Sequence, residues 1–526
     1  MIAAPALALL PVAVPATAAE PGVVQAANFT AKLSIGGQGR SCSAVLVDKS
    51  WVMTAADCVD SQPDGVPTQQ STITFGDGGT APLPVAEVVV HPDRGVALAR
   101  LAAEVTNRNI PRLSETGLAA GGFVNQAGFG RTATEWAPKE HNAAFTVGKV
   151  DATGFEITPK DTGMVYKGDA GGPAFRSYTV ENVTRGEVVG LNTRAWQGGC
   201  LGAPASETRK GAYNARVDGL TPWVKSVTTQ WKAETLVQGD AKLYQGIRLN
   251  DGTWTSFTDV EALAGPIGGV RAAAAAGVNT QTHVLAVGND GKVRSTERMT
   301  GGRWTKFTEL PAAVNAPTTI SRLSMVSVGS ELHVAAVANG KVYHAARKAD
   351  GTWSAFGDVF DAIGSLPTPT AVAAASVGGQ LQVVAVANGK AYHTLRAASG
   401  HWTGWGDISQ AAGPAGSVTG AAIAGAGSDA HLVLLSDGGT RQFHTVRYAN
   451  GTWQPVGNLS GVLGAVTATS VGSAVVNGEF QLTLSLSDNR VIHTLRKPDG
   501  NWAPVHSVNL TGVPGTHGGV ALTATL

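Results

Sequence analysis

The sequence predicts an all-β protein built of two parts, and three observations support this. The chain of 526 residues is longer than one hydrophobic core normally serves, so we expect two or three domains. It contains 67 glycines and 25 prolines beside many valine, threonine and alanine runs, a composition that favours short strands and tight turns over helices. From about residue 236 onward, a unit of roughly 50 residues recurs, which the first part lacks.

Charge and hydropathy exclude several classes of partner. The 39 lysines and arginines are balanced by 38 aspartates and glutamates, which gives no electrostatic reason to expect nucleic acid or an anionic membrane surface. The apolar run Ile2 to Val14 is too short to span a bilayer, and Ala16-Thr17-Ala18 after it is typical of a signal peptidase site. We therefore predict a signal peptide at residues 1–19, a secreted, extracellular protein and no transmembrane segment; an ordered N-terminal arm is the alternative.

Three segments of the first part together indicate its fold. Cys42 to Cys58 ends in Thr-Ala-Ala-Asp-Cys, His91 to Leu101 contains an Ala-Leu pair, and Lys167 to Pro173 reads Lys-Gly-Asp-Ala-Gly-Gly-Pro. In this order they resemble the trypsin and chymotrypsin family of serine proteases, in which the first segment ends Thr-Ala-Ala-His-Cys and the third contains Gly-Asp-Ser-Gly-Gly-Pro. The resemblance implies a double β-barrel over residues 28–232.

The residues that carry the family's chemistry are replaced. Peptide hydrolysis by this route needs a hydroxyl nucleophile, an imidazole base and a carboxylate that orients the imidazole. The matching positions hold Ala170, Asp57 and Gly95, so we predict that this domain is catalytically inactive. The resemblance still places an oxyanion hole at the backbone N–H groups of Gly168 and Ala170.

Other positions follow from the same resemblance. A disulfide is expected between Cys42 and Cys58, which flank a short apolar segment, whereas Cys200 lacks its partner because Tyr166 occupies that position. The specificity pocket would contain Met164 at its floor, with Trp196 and Gly211 beside it; core filling is the alternative role for Met164. The family's cleaved N-terminus is missing, so Asp169 needs another partner.

The repeats of residues 236–526 predict a β-propeller. Tryptophans recur every 49 to 51 residues, and turn dipeptides such as Asp350-Gly351 and Asn339-Gly340 separate alternating segments, giving about four strands per unit. We favour six blades over seven, with Gly518 to Leu526 completing the first blade and so closing the ring. The tryptophans are Trp254, Trp304, Trp353, Trp402, Trp453 and Trp502.

These repeats resemble tectonin-like lectin propellers, which implies carbohydrate binding. The candidate ligand residues are the six repeat tryptophans and the pairs His344/Arg347, His393/Arg396, His444/Arg447 and His493/Arg496. A residue that recurs in every blade also has a packing role, which is the alternative for each of them. We expect no cofactor and find no metal-ligand pattern.

The leading functional hypothesis is a secreted, non-catalytic protease-like module fused to a propeller that binds a glycan or another cell-surface polymer. One alternative is a serine-type endopeptidase homologue with residual or unrecognised hydrolase activity, targeted by its propeller. Another is a decoy that binds protein partners such as protease inhibitors.

Overall fold

A computed structural model describes residues 28–37, 40–59, 64–76, 81–131, 140–181, 183–198 and 203–526. The predicted signal peptide at 1–19 and Cys200 lie outside these described residues. The predicted all-β class is confirmed, because about 52% of the chain is strand and 8% helix. Two six-stranded barrels come first, and a six-bladed propeller follows.

The first barrel contains six strands: β1 (Thr30–Ile35), β2 (Arg40–Asp48), β3 (Trp51–Ala55), β4 (Ser71–Phe75), β5 (Leu83–Val90) and β6 (Val96–Leu101). It is closed, and its strands neighbour one another in the order β1-β2-β3-β6-β5-β4. Val45 pairs with Met53 across the hairpin of β2 and β3, whose inward side chains are almost fully buried. A 3-10 helix, Ala56–Val59, follows β3.

The strands of the second barrel are β7 (Arg112–Leu113), β8 (Phe123–Gly128), β9 (His141–Val150), β10 (Gly154–Pro159), β11 (Pro173–Val180), β12 (Val183–Ala195) and β13 (Ala212–Arg216). They neighbour one another in the order β11-β8-β9-β10-β13-β12, the barrel is closed by pairing of β11 with β12, and β7 adds to the edge of β12. Phe145, Phe155 and Ile157 fill the interior. Helix α1 (Thr221–Thr228) follows it, with Pro222 in its first turn.

Each propeller blade is a sheet of four antiparallel strands. Blade 1 contains β14 (Lys232–Gly239), β15 (Lys242–Arg248) and β16 (Thr258–Asp259); blade 2, β17 (Val270–Val278), β18 (Gln281–Gly288), β19 (Val293–Arg298) and β20 (Thr308–Glu309); blade 3, β21 (Arg322–Val328), β22 (Glu331–Ala338), β23 (Lys341–Arg347) and β24 (Gly357–Asp358); blade 4, β25 (Pro369–Val377), β26 (Gln380–Ala387), β27 (Lys390–Arg396) and β28 (Gly406–Asp407); blade 5, β29 (Val418–Ala426), β30 (Asp429–Ser436), β31 (Arg441–Arg447) and β32 (Gly457–Asn458); blade 6, β33 (Ala468–Val476), β34 (Glu479–Leu486), β35 (Val491–Arg496) and β36 (His506–Ser507). Short helices precede four of the inner strands: α2 (Val260–Ala264), α3 (Val359–Ile363), α4 (Ile408–Ala412) and α5 (Ser460–Leu463).

The C-terminal strand, β37 (His517–Thr525), becomes the inner strand of blade 1 by pairing with β14. Val520 faces Val237 in this ladder, and Thr525 faces Lys232. The predicted closure of the ring by the end of the chain is therefore confirmed. Without β37, the edge of β14 would lack its hydrogen-bonding neighbour.

The inner strands of all six blades surround a central channel of about 270 Å³. Small residues let these strands approach closely: a Cβ atom added to Gly277 would lie 1.8 Å from the Ala524 carbonyl oxygen. Side-chain hydroxyls tie neighbouring inner strands, since Ala374 N donates to Ser324 Oγ and Val520 N donates to Ser470 Oγ.

The first barrel contacts blade 2 directly. The Trp223 Nε1–H group of α1 donates to the Gly301 carbonyl oxygen at 3.0 Å, and Gly301 N donates to Asp64 Oδ2 at 2.8 Å. A Cβ atom on Gly301 would lie 2.8 Å from both Asp64 Oδ2 and Val89 Cγ1. The turn that precedes Trp304 therefore fits against the barrel only because residue 301 has no side chain.

Candidate functional site

The three predicted triad positions meet where the two barrels join. Ala56 N, next to Asp57, donates to the Gly95 carbonyl oxygen at 3.0 Å. Cys58 Sγ, on the other side of Asp57, lies 3.6 Å from the Ala170 carbonyl oxygen. Asp57 is exposed and Ala170 half-buried, so both border the crevice between the barrels. The predicted disulfide between Cys42 and Cys58 is confirmed, with an S–S distance of 2.02 Å.

The glycines around Ala170 are fixed by close backbone packing. Gly171 has φ +84°, and a Cβ atom there would lie 2.1 Å from the Ser43 carbonyl oxygen. A Cβ atom on Gly172 would lie 2.2 Å from the Ala127 carbonyl oxygen. A side chain at residue 171 would therefore push the two barrels apart, whereas one at residue 172 would push this loop away from β8 within the second barrel.

Hydroxyl groups near Ala170 are engaged in this same junction. Ser43 is fully buried; its Oγ donates to the Gly168 carbonyl oxygen at 3.0 Å and accepts from Phe129 N at 2.9 Å. Ser43 N donates to the Ala170 carbonyl oxygen at 2.7 Å. Thr54 Oγ1, also buried, donates to the Ser43 carbonyl oxygen at 2.7 Å. These hydroxyls hold the loop that carries the predicted oxyanion hole.

The carboxylate of Asp169 contacts a residue that the motifs did not indicate. Its carboxylate is 2% exposed; Oδ1 accepts from Gly130 N at 2.7 Å, and Oδ2 accepts from Tyr166 N at 2.8 Å. His141 Nε2 lies 3.1 Å from Oδ2 and forms an ion pair when protonated. His141 is the first residue of β9 and lies outside every recognised motif. The only signal for it in the sequence is that it is one of two histidines in the first part.

The contact with Asp169 changes the acidity of His141. Burial by itself lowers the pKa of His141, but the hydrogen bond and charge of Asp169, aided by Glu140, outweigh burial and raise that pKa above its ordinary value of 6.5. The buried Asp169 carboxylate is thereby paired with the His141 side chain of the same barrel, in place of the cleaved N-terminus that pairs with it in the family.

His91, the other histidine of this part, supports the turn before Gly95. Its Nδ1 accepts hydrogen bonds from Asp93 N and Arg94 N, both at 3.0 Å, and its ring packs edge-to-face on Trp223. Burial lowers the pKa of His91 to about 4. An acceptor at Nδ1 requires the neutral ring, so His91 is a structural turn residue.

The predicted pocket residues are only partly brought together. Trp196 N donates to the Gly211 carbonyl oxygen at 3.3 Å, and the Arg209 guanidinium lies 5.6 Å from the Trp196 ring. Gly211 has φ +106° and no room for a Cβ atom, which would lie 2.0 Å from the Ile157 carbonyl oxygen. Met164 is half-buried in the segment before Val165. Its place at a pocket floor stays a prediction.

In the propeller, equivalent polar residues recur at each junction between blades. Each cleft is named by the two blades that form it. The first of the two blades contributes side chains from its second and third strands, and the next blade contributes an arginine and a tryptophan. The sets are Glu234, Gln245, Arg298 and Trp304 (cleft 1–2); His283, Ser295, Arg347 and Trp353 (cleft 2–3); His333, His344, Arg396 and Trp402 (cleft 3–4); Gln382, His393, Arg447 and Trp453 (cleft 4–5); His431, His444, Arg496 and Trp502 (cleft 5–6); and Gln481, His493, Arg248 and Trp254 (cleft 6–1).

A histidine edge meets a tryptophan ring in four of these clefts. The ring centroids lie 5.4–5.6 Å apart in the pairs His344–Trp402, His393–Trp453, His444–Trp502 and His493–Trp254. Burial, aided by the arginine of the next blade, lowers the pKa of each of these histidines to about 3. They are neutral at physiological pH and offer uncharged donors and acceptors.

The four His-x-x-Arg pairs named from the sequence do not form sites within one strand. His344 contacts Trp402 of blade 4, whereas Arg347, three residues later, pairs with Glu297 of blade 2 at 3.1 Å. Each histidine therefore shares a cleft with the arginine of the following repeat. Strand alternation predicts that the two side chains diverge, but not which blade each one meets.

Within the described residues, no group of three or more His, Cys, Asp or Glu side chains is arranged to hold a metal ion. In the same part of the chain, no helix has both the length and the apolar character needed to cross a membrane.

Replacing His141 with glutamine tests the Asp169 contact. Because the folded-state pKa of His141 is raised, its ionic contribution is full below pH 6.5 and is lost as the pH rises through the folded pKa. We expect His141→Gln to lower the free energy of unfolding by about 1.5–3 kcal/mol in mild acid and by less at alkaline pH. Denaturant unfolding across this pH range measures the difference.

The control is His91→Gln. Because the pKa of His91 is lowered in the folded state, the contribution of His91 to the free energy of unfolding falls as the pH drops toward 4. The effect of His91→Gln should therefore become smaller in acid, opposite to the effect of His141→Gln. If His141→Gln lowered the free energy of unfolding by the same amount at every pH, the assigned ion pair would be contradicted.

Comparisons with known proteins match the first part of the chain. The trypsin family model matches residues 18–224. Two solved structures of kallikrein-related peptidase 10, one of them in complex with Zn²⁺, are each 20% identical; each match covers 38% of this chain and 96% of that chain with a TM-score of 0.30. No curated protein matches the chain. The first part of the chain thus matches the trypsin family model and contains two six-stranded barrels, and a six-bladed β-propeller follows it.

Proposed function

We propose that this protein is a secreted, non-catalytic member of its fold: a trypsin domain that has lost its chemistry, fused to a propeller that binds carbohydrate on a polymer or cell surface. The observation that carries the first half of the proposal is the set Asp57, Gly95 and Ala170 at one crevice between the barrels. Carbohydrate binding rests on the repeated Trp, Arg and His side chains of the blade clefts.

The residues at the crevice cannot replace the missing groups. Alanine and glycine offer no nucleophile and no carboxylate, and an aspartate is a poorer general base than imidazole at neutral pH. The Ser43 hydroxyl is engaged in a buried hydrogen bond between the barrels, and the Thr54 hydroxyl in a buried hydrogen bond to the Ser43 carbonyl oxygen within the first barrel. Thr193, whose methyl group lies 3.6 Å from the Cβ position of Gly95, hydrogen-bonds the Tyr213 carbonyl oxygen at 3.2 Å. An oxyanion hole without a triad accelerates hydrolysis only about 10³–10⁴-fold over water.

The blade clefts have the composition of a saccharide site. An aromatic face packs against the C–H surface of a sugar, while neutral imidazole, amide and guanidinium groups hydrogen-bond its hydroxyls. Five of the six repeat tryptophans remain half-exposed, and Trp304 alone is buried. Several such sites on one molecule would give avidity for a polymer even when each site is weak.

Secretion is supported by the disulfide. Cys42 and Cys58 form a bridge of ordinary geometry, and such bridges persist mainly in oxidising compartments. The apolar N-terminal segment followed by Ala16-Thr17-Ala18 points the same way.

Restoring the triad tests the loss of chemistry. The triple variant Asp57→His, Gly95→Asp and Ala170→Ser should hydrolyse chromogenic esters at least about 100-fold faster than the wild type, because the frame around the three positions is intact. The wild type should show no turnover of casein or esters. Hydrolysis by the wild type that survives purification to homogeneity would contradict the proposal.

Retention on immobilised polysaccharides tests the binding half. We expect retention of the wild type on at least one glycan, and weaker retention of Trp453→Ala, because a face of one cleft is removed while the other clefts remain. The matched control is Trp405→Ala, a tryptophan of blade 4 outside the repeat series that donates to the Gly364 carbonyl oxygen. Failure of the wild type to bind any glycan, or equal effects of the two variants, would contradict carbohydrate binding by the clefts.

A further inference from the structure

The six clefts differ in whether a carboxylate of the protein pairs with the guanidinium of the repeated arginine. In cleft 1–2, Arg298 faces Glu234 at 3.7 Å, and Glu234 is 1% exposed and also accepts from Gln245. In cleft 2–3, Arg347 pairs with Glu297 at 3.1 Å, which His283 also contacts at 3.2 Å. In both clefts, a carboxylate of the preceding blade occupies the space beside the guanidinium.

Three further clefts carry an acidic residue at the start of the second strand. Glu331 contacts His333 at 3.5 Å in cleft 3–4. Asp429 accepts from Ala449 N beside cleft 5–6. Glu479 accepts from Gln481 at cleft 6–1, where its charge also acts on Arg248. None of these carboxylates forms an ion pair with the repeated arginine, but each adds negative charge to the rim.

Cleft 4–5 has glutamine at both of these positions. Gln382 stands where cleft 1–2 has Glu234, and Gln380 stands where the other three clefts have their rim acid. The Arg447 guanidinium is half-buried and, within residues 203–526, has no hydrogen-bond or ion-pair partner. Burial lowers the pKa of the Arg447 guanidinium.

The remaining walls of cleft 4–5 are ordered and uncharged. His393 Nε2 lies 2.9 Å from Gln382 Oε1, and the His393 ring meets Trp453 edge-on at 5.5 Å. Trp453 is half-exposed, and its backbone pairs with that of Arg447. An unpaired guanidinium therefore sits beside an accessible aromatic ring.

We infer that cleft 4–5 binds the carboxylate of an acidic sugar, such as a uronic acid unit of a polysaccharide. A half-buried cation without a counter-ion is unfavourable, and the planar guanidinium matches a carboxylate through two parallel hydrogen bonds. The protein supplies that carboxylate itself at the equivalent arginines of clefts 1–2 and 2–3. In cleft 4–5 the ligand supplies it, while Trp453 packs on the sugar ring and the Gln382–His393 pair hydrogen-bonds its hydroxyls.

This inference rests on the proposed carbohydrate binding and is tested with two ligands that differ only at the acid. Calorimetric titration of the full chain should show at least about tenfold tighter binding of methyl β-D-glucuronoside than of methyl β-D-glucoside, the gain expected from one charge-assisted pair. Arg447→Gln should remove the preference. Gln382→Glu should also remove it, because it places a carboxylate where Glu234 lies in cleft 1–2.

The charge-matched control is Arg441→Gln on the same strand, where the guanidinium is half-exposed and paired with Asp437; it should keep the preference. Circular dichroism establishes that each variant is folded, and Gln382→Glu decides the result if Arg447→Gln does not fold. Equal affinity for the two glycosides, no measurable binding of either, or a preference that survives both substitutions would overturn the inference. Retention of the wild type on neutral polysaccharides would then still support the proposed function, whereas the absence of any glycan binding would remove both.

Discussion

The buried carboxylate of Asp169 is the constraint on which the trypsin domain depends. It lies where the two barrels meet, and a Cβ atom on Gly128 or Gly130 would fall within 2.6 Å of its Oδ1. A charge in this position must be paired, or it would destabilise the fold by several kcal/mol. Gly130 N, Tyr166 N and His141 together satisfy it, and they thereby fix the loop that runs through Ala170 to Gly172.

None of these stabilising contacts uses the side chain of a triad position, although the backbone carbonyl of Ala170 accepts from Ser43 N. The barrels are joined through backbone groups, through the hydroxyl of Ser43, and through Gly171, which admits no side chain. The triad side chains of an active protease project into the crevice from this frame without holding it together. Replacing those side chains would therefore cost catalysis but little stability, and the proposed loss of activity is compatible with an intact frame.

In the propeller, the contacts that close the ring are likewise separate from the clefts between the blades. Its inner strands are packed by small residues and hydroxyls around the channel, and β37 closes the ring regardless of what the clefts contain. Each cleft reuses one arginine and one tryptophan, while the residues opposite vary from glutamate to histidine and glutamine. Variation at Glu234, Gln382 and their equivalents changes the charge of a cleft without disturbing the blades.

Much of this architecture was predictable, because it depends on local and repeated patterns. The Cys42 to Cys58 segment, the Gly-Asp-Ala-Gly-Gly-Pro segment and the evenly spaced tryptophans predicted both folds, the disulfide and the six blades. The His141–Asp169 pair was not predictable, since it joins residues 28 positions apart and lies in no motif. The partners in each cleft were hidden for a related reason: His393 meets a tryptophan of the next repeat, and only the ring geometry shows which two repeats are neighbours.

The central claim is that the trypsin domain has no nucleophile in its crevice, and covalent labelling tests it most directly. The wild-type chain would be exposed to a fluorophosphonate that phosphonylates activated serines, and its intact mass would be measured against that of the triad-restored variant. The account predicts an unmodified wild type and a single adduct on residue 170 of the restored variant. A stoichiometric adduct on the wild type would contradict it and would identify the nucleophile that this account denies.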